Sequence, residues 1–285
     1  MIFLKTVRKI YKLRYTKYQN NELITRQLNT NNLKRENVML FQRFQLLLYA
    51  SLVMILICFE DSVAQTEIQS IKIPDPERFA AEIRIFRDWD NKNTFPEDAV
   101  LFVGSSSIRM WETKRFFDDY PVINRGFGGS HISDVVHFFD LVVSKYHPRA
   151  VVFYAGDNDI AFGKEVNRVV DDYKKFVTMV ESECPDTPII YVAIKPSLSR
   201  WRFWPQMRET NHKIAEFSNQ KKDLHFLDIS SIMLNQSGEP DSSLFIEDGL
   251  HLNEKGYELW TGLLKDTLDK IIPCCGIKKA QETIR

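Results

Sequence analysis

The chain has 285 residues, of which 44% are hydrophobic and 27% are charged, a composition typical of a folded globular protein. Its 38 Lys and Arg balance 38 Asp and Glu, but nine of the basic residues lie in residues 1–38, so residues 65–285 carry 28 basic against 34 acidic side chains. This mildly acidic main body offers no electrostatic case for binding nucleic acid.

Residues 39–64 have the pattern of an export signal. Arg43 precedes an apolar run over residues 44–59, and the segment closes with Ser-Val-Ala, which puts small residues at the two positions that a signal peptidase reads. Because the run is shorter than the ~20 residues of a bilayer span, we expect cleavage after Ala64, an exported (periplasmic or secreted) protein, and no stable membrane association after cleavage. An uncleaved signal anchor is the alternative, and N-terminal sequencing of the mature protein distinguishes the two.

A basic segment, residues 1–38, lies upstream of this complete signal, which begins at Met39. We interpret Met39 as the true start and the upstream segment as an over-extended reading frame. The alternative is a basic cytoplasmic arm before a signal anchor, which its positive charge would orient. Residues 65–72 are then a linker, 73–275 the one folded domain, and 276–285 a C-terminal tail.

From residue 73 onward, segments with helical periodicity alternate with short, wholly apolar runs. The predicted elements in chain order are a helix at 75–93, strands at 99–104 and 121–126, a helix at 133–146, a strand at 149–156, a helix at 167–184, a strand at 189–194, a helix at 206–220, a strand at 224–229 and a closing helix at 253–272. Strands that are apolar throughout and separated by helices indicate a parallel sheet buried on both faces. The predicted fold is therefore a three-layer α/β/α sandwich with about five parallel strands.

Three cysteines remain after the expected cleavage: Cys184, Cys274 and Cys275. The sequence contains no C-x-x-C or other metal-ligand spacing, so no metal and no organic cofactor is implied. An odd number of cysteines in an exported protein predicts at least one free or intermolecular thiol. A bridge from Cys184 to one of the C-terminal pair stays open.

Polar loops follow three of the predicted strands and precede the last helix. They are GSSS at 104–107, NRGFGGSHIS at 124–133, GDNDIAFG at 156–163 and EDGLHLNEKGY at 247–257. In sheets of this kind a ligand binds outside the carboxyl ends of the strands, at a switch point of strand order. Together the loops supply a hydroxyl, glycine amides, an Asn amide, and an Asp and a His three residues apart, which is the inventory of an acyl-transfer site.

These four blocks, in this order, resemble the signature of the SGNH hydrolase superfamily, also called the GDSL esterases and lipases, over about residues 98–260. The resemblance implies a flavodoxin-like hydrolase fold, and setting Gly104-Ser105-Ser106 on the family's Gly-Asp-Ser makes Ser106 the nucleophile. Ser105 stands where the family motif has Asp. That Asp is not a triad member, so we expect altered local hydrogen bonding and retained chemistry. Ser105 and Ser107 stay as competing candidates for the nucleophile.

A serine hydroxyl needs a base within hydrogen-bond reach, and the base needs a group that fixes its tautomer. His251 is the predicted base, and Asp248, three residues earlier on one turn, would accept from the other ring nitrogen. The resemblance implies three oxyanion donors: the backbone N–H groups of Ser106 and Gly129 and the side-chain amide of Asn158. Ser106 is also expected to open a helix whose positive end faces the developing charge.

The loop over residues 195–207 brings aromatic and basic side chains to the same edge. Trp201, Trp204 and Arg202 are candidate substrate-binding residues, since aromatic rings there would stack on a sugar or hold an acyl chain. The alternative is that they pack the loop onto the following helix.

The sequence therefore predicts an exported serine esterase that hydrolyses a carboxylic ester through an acyl-enzyme. A short acyl group such as acetyl is favoured because no amphipathic lid segment is evident, and a small-molecule or glycan ester is the expected substrate. The alternatives are an inactive glycan-binding protein on the same fold, a lysophospholipase-like lipid acylhydrolase, and a flavodoxin-like phosphate-binding protein. Nothing in the sequence defines an oligomeric state.

Overall fold

The computed structural model describes residues 73–272, together with Met39, residues 41–49, Ser51 and Met54, which are helical and exposed. The remainder of the predicted export signal, the upstream segment, the linker, the tail, Cys274 and Cys275 lie outside the described residues. The chain divides into two units, residues 1–70 and 71–285, and the second contains the fold that follows. Within the part of the chain described, no helix combines the length and the apolar character needed to cross a bilayer.

The second unit is built on one parallel sheet. Its strands are β1 (Val100–Gly104), β2 (Val122–Gly126), β3 (Ala150–Tyr154), β4 (Ile189–Val192) and β5 (Leu224–Leu227). Their order across the sheet is β2-β1-β3-β4-β5, and every neighbouring pair is parallel. The chain moves to one side of β1 to form β2 and then to the other side for β3, so the strand order switches between β1 and β3.

Helices cover both faces of the sheet, and the predicted α/β/α sandwich with five parallel strands is confirmed. The helices are α1 (Ala80–Asp90), α2 (Ser106–Arg109), α3 (Thr113–Phe116), α4 (Ile132–His137), α5 (Phe139–Val142), α6 (Asp157–Phe162), α7 (Val166–Glu183), α8 (Trp204–Ser218) and α9 (Glu254–Ile271). Short 3-10 turns lie at Pro76–Phe79, Ser144–Tyr146, Trp201–Phe203, Ser231–Met233 and Ser242–Leu244.

The strands are buried on both faces because their successive side chains enter two separate core layers. Leu101 and Val103 of β1 point into the layer formed with α1, α4, α7 and α8. Val100 and Phe102 of the same strand point into the layer formed with α2 and α9. This alternation explains why the strands read as continuous apolar runs.

One predicted helix, residues 133–146, is broken in the structure into α4, α5 and a 3-10 turn. The break falls at Phe138, whose backbone leaves the helical region with ψ at 18°. It lets two adjacent rings be buried against different partners: Phe138 lies edge-on to Phe127, and Phe139 lies against Phe176. Helical periodicity alone does not reveal this break, because the apolar spacing continues through it.

Cys184 follows the last residue of α7, is buried, and forms no disulfide with another described residue. Its Sγ is 3.9 Å from the carbonyl oxygen of Ser144. Burial raises the pKa of this thiol, with a smaller contribution from Glu183. The predicted free thiol is therefore compatible with Cys184, while a bridge to the C-terminal cysteines stays a prediction.

Trp260 is the largest fully buried side chain of the core layer formed with α2 and α9. Its ring lies 5.2 Å from the ring of Tyr154 and 5.7 Å from that of Trp111, and its Nε1–H contacts Sδ of Met233 at 3.1 Å. The helix that carries it, α9, begins where the side chain of Asn253 accepts a hydrogen bond from the N–H of Gly256. This packing holds α9 on the sheet.

We expect Trp260→Ala to lower the free energy of unfolding by about 3–5 kcal/mol, because it removes a large buried ring and leaves a cavity. The matched control is Trp89→Ala on α1, where the side chain is 62% exposed and the cost should stay within about 0.5 kcal/mol. Urea unfolding followed by circular dichroism measures both. Equal costs for the two variants would contradict the packing described for α9.

Candidate active site

The loop after β1 is held so close to β3 that a side chain at Gly104 is excluded. Gly104 has φ of +140°, and a Cβ there would lie 1.9 Å from the carbonyl oxygen of Tyr154. The N–H of Ser105 donates to that same oxygen at 2.9 Å. The chain then turns at once into α2, with Ser106 as its first residue.

The three consecutive serines have different environments. Ser105 and Ser107 are buried, whereas Ser106 is partly exposed. The Oγ of Ser105 is buried without a hydrogen-bond partner, and the Oγ of Ser107 accepts from Nζ of Lys195 at 3.0 Å. Ser106 alone of the three contacts His251. The altered hydrogen bonding that we expected at Ser105 is seen as a buried, unpartnered hydroxyl.

Ser106, His251 and Asp248 form one continuous chain of hydrogen bonds. His251 Nε2 lies 2.9 Å from Ser106 Oγ, and His251 Nδ1 lies 2.6 Å from Asp248 Oδ2. An ionised carboxylate only accepts hydrogen bonds, so Nδ1 carries the proton and Nε2 is free to accept from the serine. These contacts are the ones that a serine nucleophile, its base and the group orienting the base require.

The turn that carries Asp248 and His251 organises itself locally. Asp248 Oδ1 accepts from the backbone N–H of Leu250 at 2.8 Å and from that of His251 at 2.9 Å. Partial burial raises the pKa of the Asp248 carboxyl, but hydrogen bonds from the His251 ring and from these two N–H groups outweigh it and lower the pKa to about 2. Asp248 therefore stays ionised at neutral and mildly acidic pH, as its predicted role requires.

The glycine loop after β2 differs in one detail from the expectation. From the sequence, Gly128 is expected to permit the turn and Gly129 to let the backbone approach a substrate closely. In the structure Gly129 has the positive φ, +78°, and no atom lies within 4 Å of the point where its Cβ would stand. A Cβ at Gly128 would lie 2.6 Å from the guanidinium of Arg109, which is the far end of a flexible, half-exposed side chain. The open side at Gly129 leaves room for a ligand.

Asn158 lies in the first turn of α6, opposite the glycine loop. Its Nδ2 donates to the carbonyl oxygen of Ser130 at 3.0 Å, and its Oδ1 accepts from Nη2 of Arg200 at 2.8 Å. Because a guanidinium has only donors, the side-chain atom facing Arg200 must be the oxygen. One of the two N–H bonds on Nδ2 is used by Ser130, and the second is left for a ligand.

The helix expected behind Ser106 is short. α2 contains four residues, Ser106–Arg109, so its aligned peptide dipoles amount to a single turn. The first N–H groups of a helix have no acceptor within it, which leaves the N–H of Ser106 oriented as a donor. α2 therefore contributes mainly the N–H of Ser106 as a hydrogen-bond donor, and its dipole contributes less.

Three charged residues under the site were not singled out from the sequence: Lys195, Asp157 and Arg200. Lys195 Nζ lies 3.0 Å from Tyr154 OH and 3.4 Å from Asp157 Oδ2, and Arg200 Nη1 lies 3.0 Å from the same Asp157 oxygen. Burial raises the pKa of Asp157, but Lys195 and Arg200 outweigh it and hold that pKa below its usual value. Burial lowers the pKa of Lys195. A lysine that ends an apolar strand at the functional edge was the signal in the sequence.

The loop over residues 195–207, which carries the aromatic side chains, packs mainly on itself and on the core. The rings of Trp201 and Trp204 stack with their centroids 5.9 Å apart. Both residues pack against the core layer formed with α1, α4, α7 and α8. The guanidinium of Arg202 lies 4.5 Å above the ring of Phe203. These contacts agree with the packing alternative, and substrate binding by Trp201, Trp204 and Arg202 stays a prediction.

A metal site is not formed by the residues that the structure describes, since no three His, Cys, Asp or Glu side chains converge among them.

Comparison with known proteins gives one family and a shared fold. The model of the GDSL-like lipase/acylhydrolase family matches residues 105–259. No curated protein matches the chain. Among solved structures, the chain is similar to a GDSL-like lipase from Bacteroides thetaiotaomicron VPI-5482, with 19% identity, coverage of 69% of this chain and 98% of that chain, and a TM-score of 0.57. It is also similar to a carbohydrate esterase family 3 protein from Talaromyces cellulolyticus, with 18% identity, coverage of 60% and 96%, and a TM-score of 0.50.

We expect a fluorophosphonate to form one covalent adduct with the protein, with displacement of fluoride by the serine oxygen, and the adduct to map to Ser106. The reason is that Ser106 is the serine in contact with His251. Ser106→Ala should abolish the mass increase, and Ser105→Ala should retain it, because the Ser105 hydroxyl has no hydrogen-bond partner. Intact-protein and peptide mass spectrometry measure the result. An adduct on Ser105 or Ser107 would contradict the proposed role of Ser106.

Proposed function

We propose, from the premise that the chain belongs to the GDSL-like lipase/acylhydrolase family of ester-bond hydrolases, that it is an exported serine esterase acting through an acyl-enzyme on Ser106. The observation that carries this proposal is the contact chain from Ser106 Oγ through His251 to Asp248, at 2.9 and 2.6 Å. A surface histidine or a simple helix cap would not need both contacts. Export is proposed from the signal-like pattern of residues 39–64.

The proposed reaction begins with attack of Ser106 Oγ on the ester carbonyl carbon while His251 Nε2 takes the serine proton. Asp248 stabilises the imidazolium that forms, through the hydrogen bond at Nδ1. His251 then gives its proton to the leaving alcohol, and the acyl-enzyme remains on Ser106. Water, deprotonated by His251, hydrolyses this intermediate and restores the serine.

The negative oxygen of each tetrahedral intermediate needs donors that are already in place. The candidates are the N–H of Ser106, the N–H of Gly129 and the second N–H of the Asn158 amide. The open space at Gly129 and the fixed orientation of Asn158 support this assignment. A donor that is held before the reaction costs no reorganisation during it.

A short acyl group, with acetyl first, attached to a carbohydrate is the substrate class that we propose. The partly exposed ring of Trp201, in the loop after β4, supports a sugar-binding role, since aromatic faces stack on sugar rings. The similar structure from Talaromyces cellulolyticus is named a carbohydrate esterase, although at 18% identity the likeness shows only the fold.

A lipid acylhydrolase is the second candidate, and exposed apolar side chains favour it. Phe162 at the end of α6, Leu198 after β4 and Ile246 before the Asp248 turn are 44%, 43% and 42% exposed. Leu198 lies against this turn, with its Cβ 3.0 Å from the point where a Cβ on Gly249 would stand. Apolar groups on the loops of the site would suit a longer acyl chain.

We expect the purified protein to hydrolyse p-nitrophenyl acetate, and its kcat/KM to fall as the acyl chain lengthens through butyrate to octanoate. Ser106→Ala should abolish turnover, and Asn158→Ala should lower kcat by about 10²–10³-fold through loss of one oxyanion donor. The exposed Arg208→Ala on α8 is the matched control and should keep wild-type rates. Faster turnover of octanoate would favour the lipid acylhydrolase, and turnover that does not depend on Ser106 would refute the mechanism.

We expect Trp201→Ala to raise KM for an acetylated oligosaccharide by several-fold with little change in kcat for p-nitrophenyl acetate, if the ring binds sugar. Trp89→Ala, which changes an exposed tryptophan on α1, controls for the loss of an indole. Unchanged KM and kcat on both substrates would assign Trp201 to packing of the loop alone.

A further inference from the structure

The orientation of the Asn158 amide depends on a residue from another loop. Arg200, in the loop between β4 and α8, reaches α6 and donates to Asn158 Oδ1 at 2.8 Å. On the other side, the carbonyl oxygen of Ser130 accepts from Asn158 Nδ2 at 3.0 Å. The amide is therefore held at both ends, by partners that follow β2 and β4.

Two-sided fixation matters because the terminal torsion of an asparagine is broad and nearly two-fold. A rotation of about 180° about that bond would exchange the oxygen and the nitrogen of the amide. The carbonyl oxygen would then face the developing negative charge, and a stabilising contact would become a repulsive one. Arg200 opposes this rotation, because it has only N–H donors and would meet the amide nitrogen with another donor.

Arg200 belongs to a buried ionic cluster together with Asp157 and Lys195. Asp157 Oδ2 lies 3.0 Å from Arg200 Nη1 and 3.4 Å from Lys195 Nζ. Lys195 also donates to Ser107 Oγ, next to the proposed nucleophile, at 3.0 Å. The side chains of Arg200, Asp157 and Lys195 are 18%, 5% and 1% exposed, so water screens these contacts only weakly.

The cluster carries one more positive than negative charge. Two cations face the single carboxylate of Asp157. The cluster contacts one proposed oxyanion donor directly, Asn158, and contacts Ser107, which is next to the proposed donor Ser106. An excess positive charge in a region of low exposure favours a negative charge formed nearby. The same residues thus orient the amide and supply a field of the required sign.

We propose that Arg200 is a positioning residue for the oxyanion: it fixes the Asn158 side-chain amide with its N–H toward the reacting carbonyl oxygen, and Asp157, which is also paired with Lys195, holds Arg200 in place. This inference rests on the proposed serine-esterase function. It makes Arg200 act through Asn158 and not by contact with substrate.

The test is a double-mutant cycle with p-nitrophenyl acetate as the substrate and the full chain as the enzyme. Arg200→Ala should lower kcat by about 10–100-fold and change KM by less than about two-fold. This loss of kcat is smaller than the loss expected from Asn158→Ala, which removes the oxyanion donor itself. In an Asn158→Ala background, Arg200→Ala should cause no further loss, because the group it orients is already gone. Arg200→Lys should recover part of kcat, and Arg208→Ala should match wild type.

A second measurement reports orientation without turnover. With ¹⁵N-asparagine, the side-chain amide of Asn158 is assigned as the NMR signal pair that Asn158→Ala removes. In wild type this pair should be well dispersed and should exchange slowly with water, and in Arg200→Ala it should move toward the values of exposed amides. Thermal unfolding of each variant confirms that it is folded.

The outcomes separate this inference from the proposed function. Unchanged kcat in Arg200→Ala, an additive loss in the double variant, or a rise in KM alone would each overturn the positioning role while Ser106-dependent turnover stands. Absence of turnover in wild type would refute the proposed function. The NMR signals then decide the inference: a shift in Arg200→Ala supports Arg200 as the residue that orients Asn158, and an unchanged pair overturns it.

Discussion

The close approach of β1 to its two neighbours is the constraint on which the rest of the site depends. At the end of β1, the carbonyl oxygen of Gly104 accepts from the N–H of Phe127, and the N–H of Ser105 donates to the carbonyl oxygen of Tyr154, both at 2.9 Å. Backbone hydrogen bonds therefore join the carboxyl ends of β1, β2 and β3, next to the switch point of the sheet. Gly104 makes this geometry possible, because any Cβ there would overlap Tyr154. Ser106, Gly129 and Asn158 inherit their relative positions from this junction.

Buried ion pairs also fix the first turn of α6. Asp157 is paired with Lys195 and Arg200 on one side, while Asp159 is paired with Lys164 and accepts from the N–H of Ile132 on the other. Buried ion pairs often add little net stability, because desolvation opposes the Coulomb attraction. Their effect here is geometric: the aspartates on either side of Asn158 are fixed, so the residue between them has a defined direction toward the glycine loop.

Much of this arrangement is local in sequence, and that part could be predicted. The five strands are apolar runs, and Asp248 and His251 lie three residues apart on one turn, so their contact needs little help from the fold. The cluster of Lys195, Asp157 and Arg200 could not be predicted in the same way, because its members come from two loops that meet only when β3 and β4 pair. Likewise, the tight approach of Arg109 to Gly128 depends on how α2 packs and not on the glycines themselves. The position of Arg200, two residues before the predicted Arg202, shows that a loop can be located from sequence while the side chain that reaches the site cannot.

The turn that carries Asp248 and His251 is more exposed to water than the ion pairs next to Asn158. This difference in exposure suits the two parts of the proposed site to different roles. The side chains of His251 and Asp248 are 22% and 42% exposed, so solvent screens the attraction between them and reduces what the Asp248 charge contributes at a distance. The hydrogen bonds still fix the tautomer, which is a matter of geometry and survives screening. On the opposite side, Lys195 and Asp157 are almost fully buried, so solvent screens their charges less than it screens those of the exposed turn. It follows that the exposed turn is suited to moving a proton, whereas stabilisation of the oxyanion falls to the buried side, whose charges and dipoles are in place before the substrate arrives.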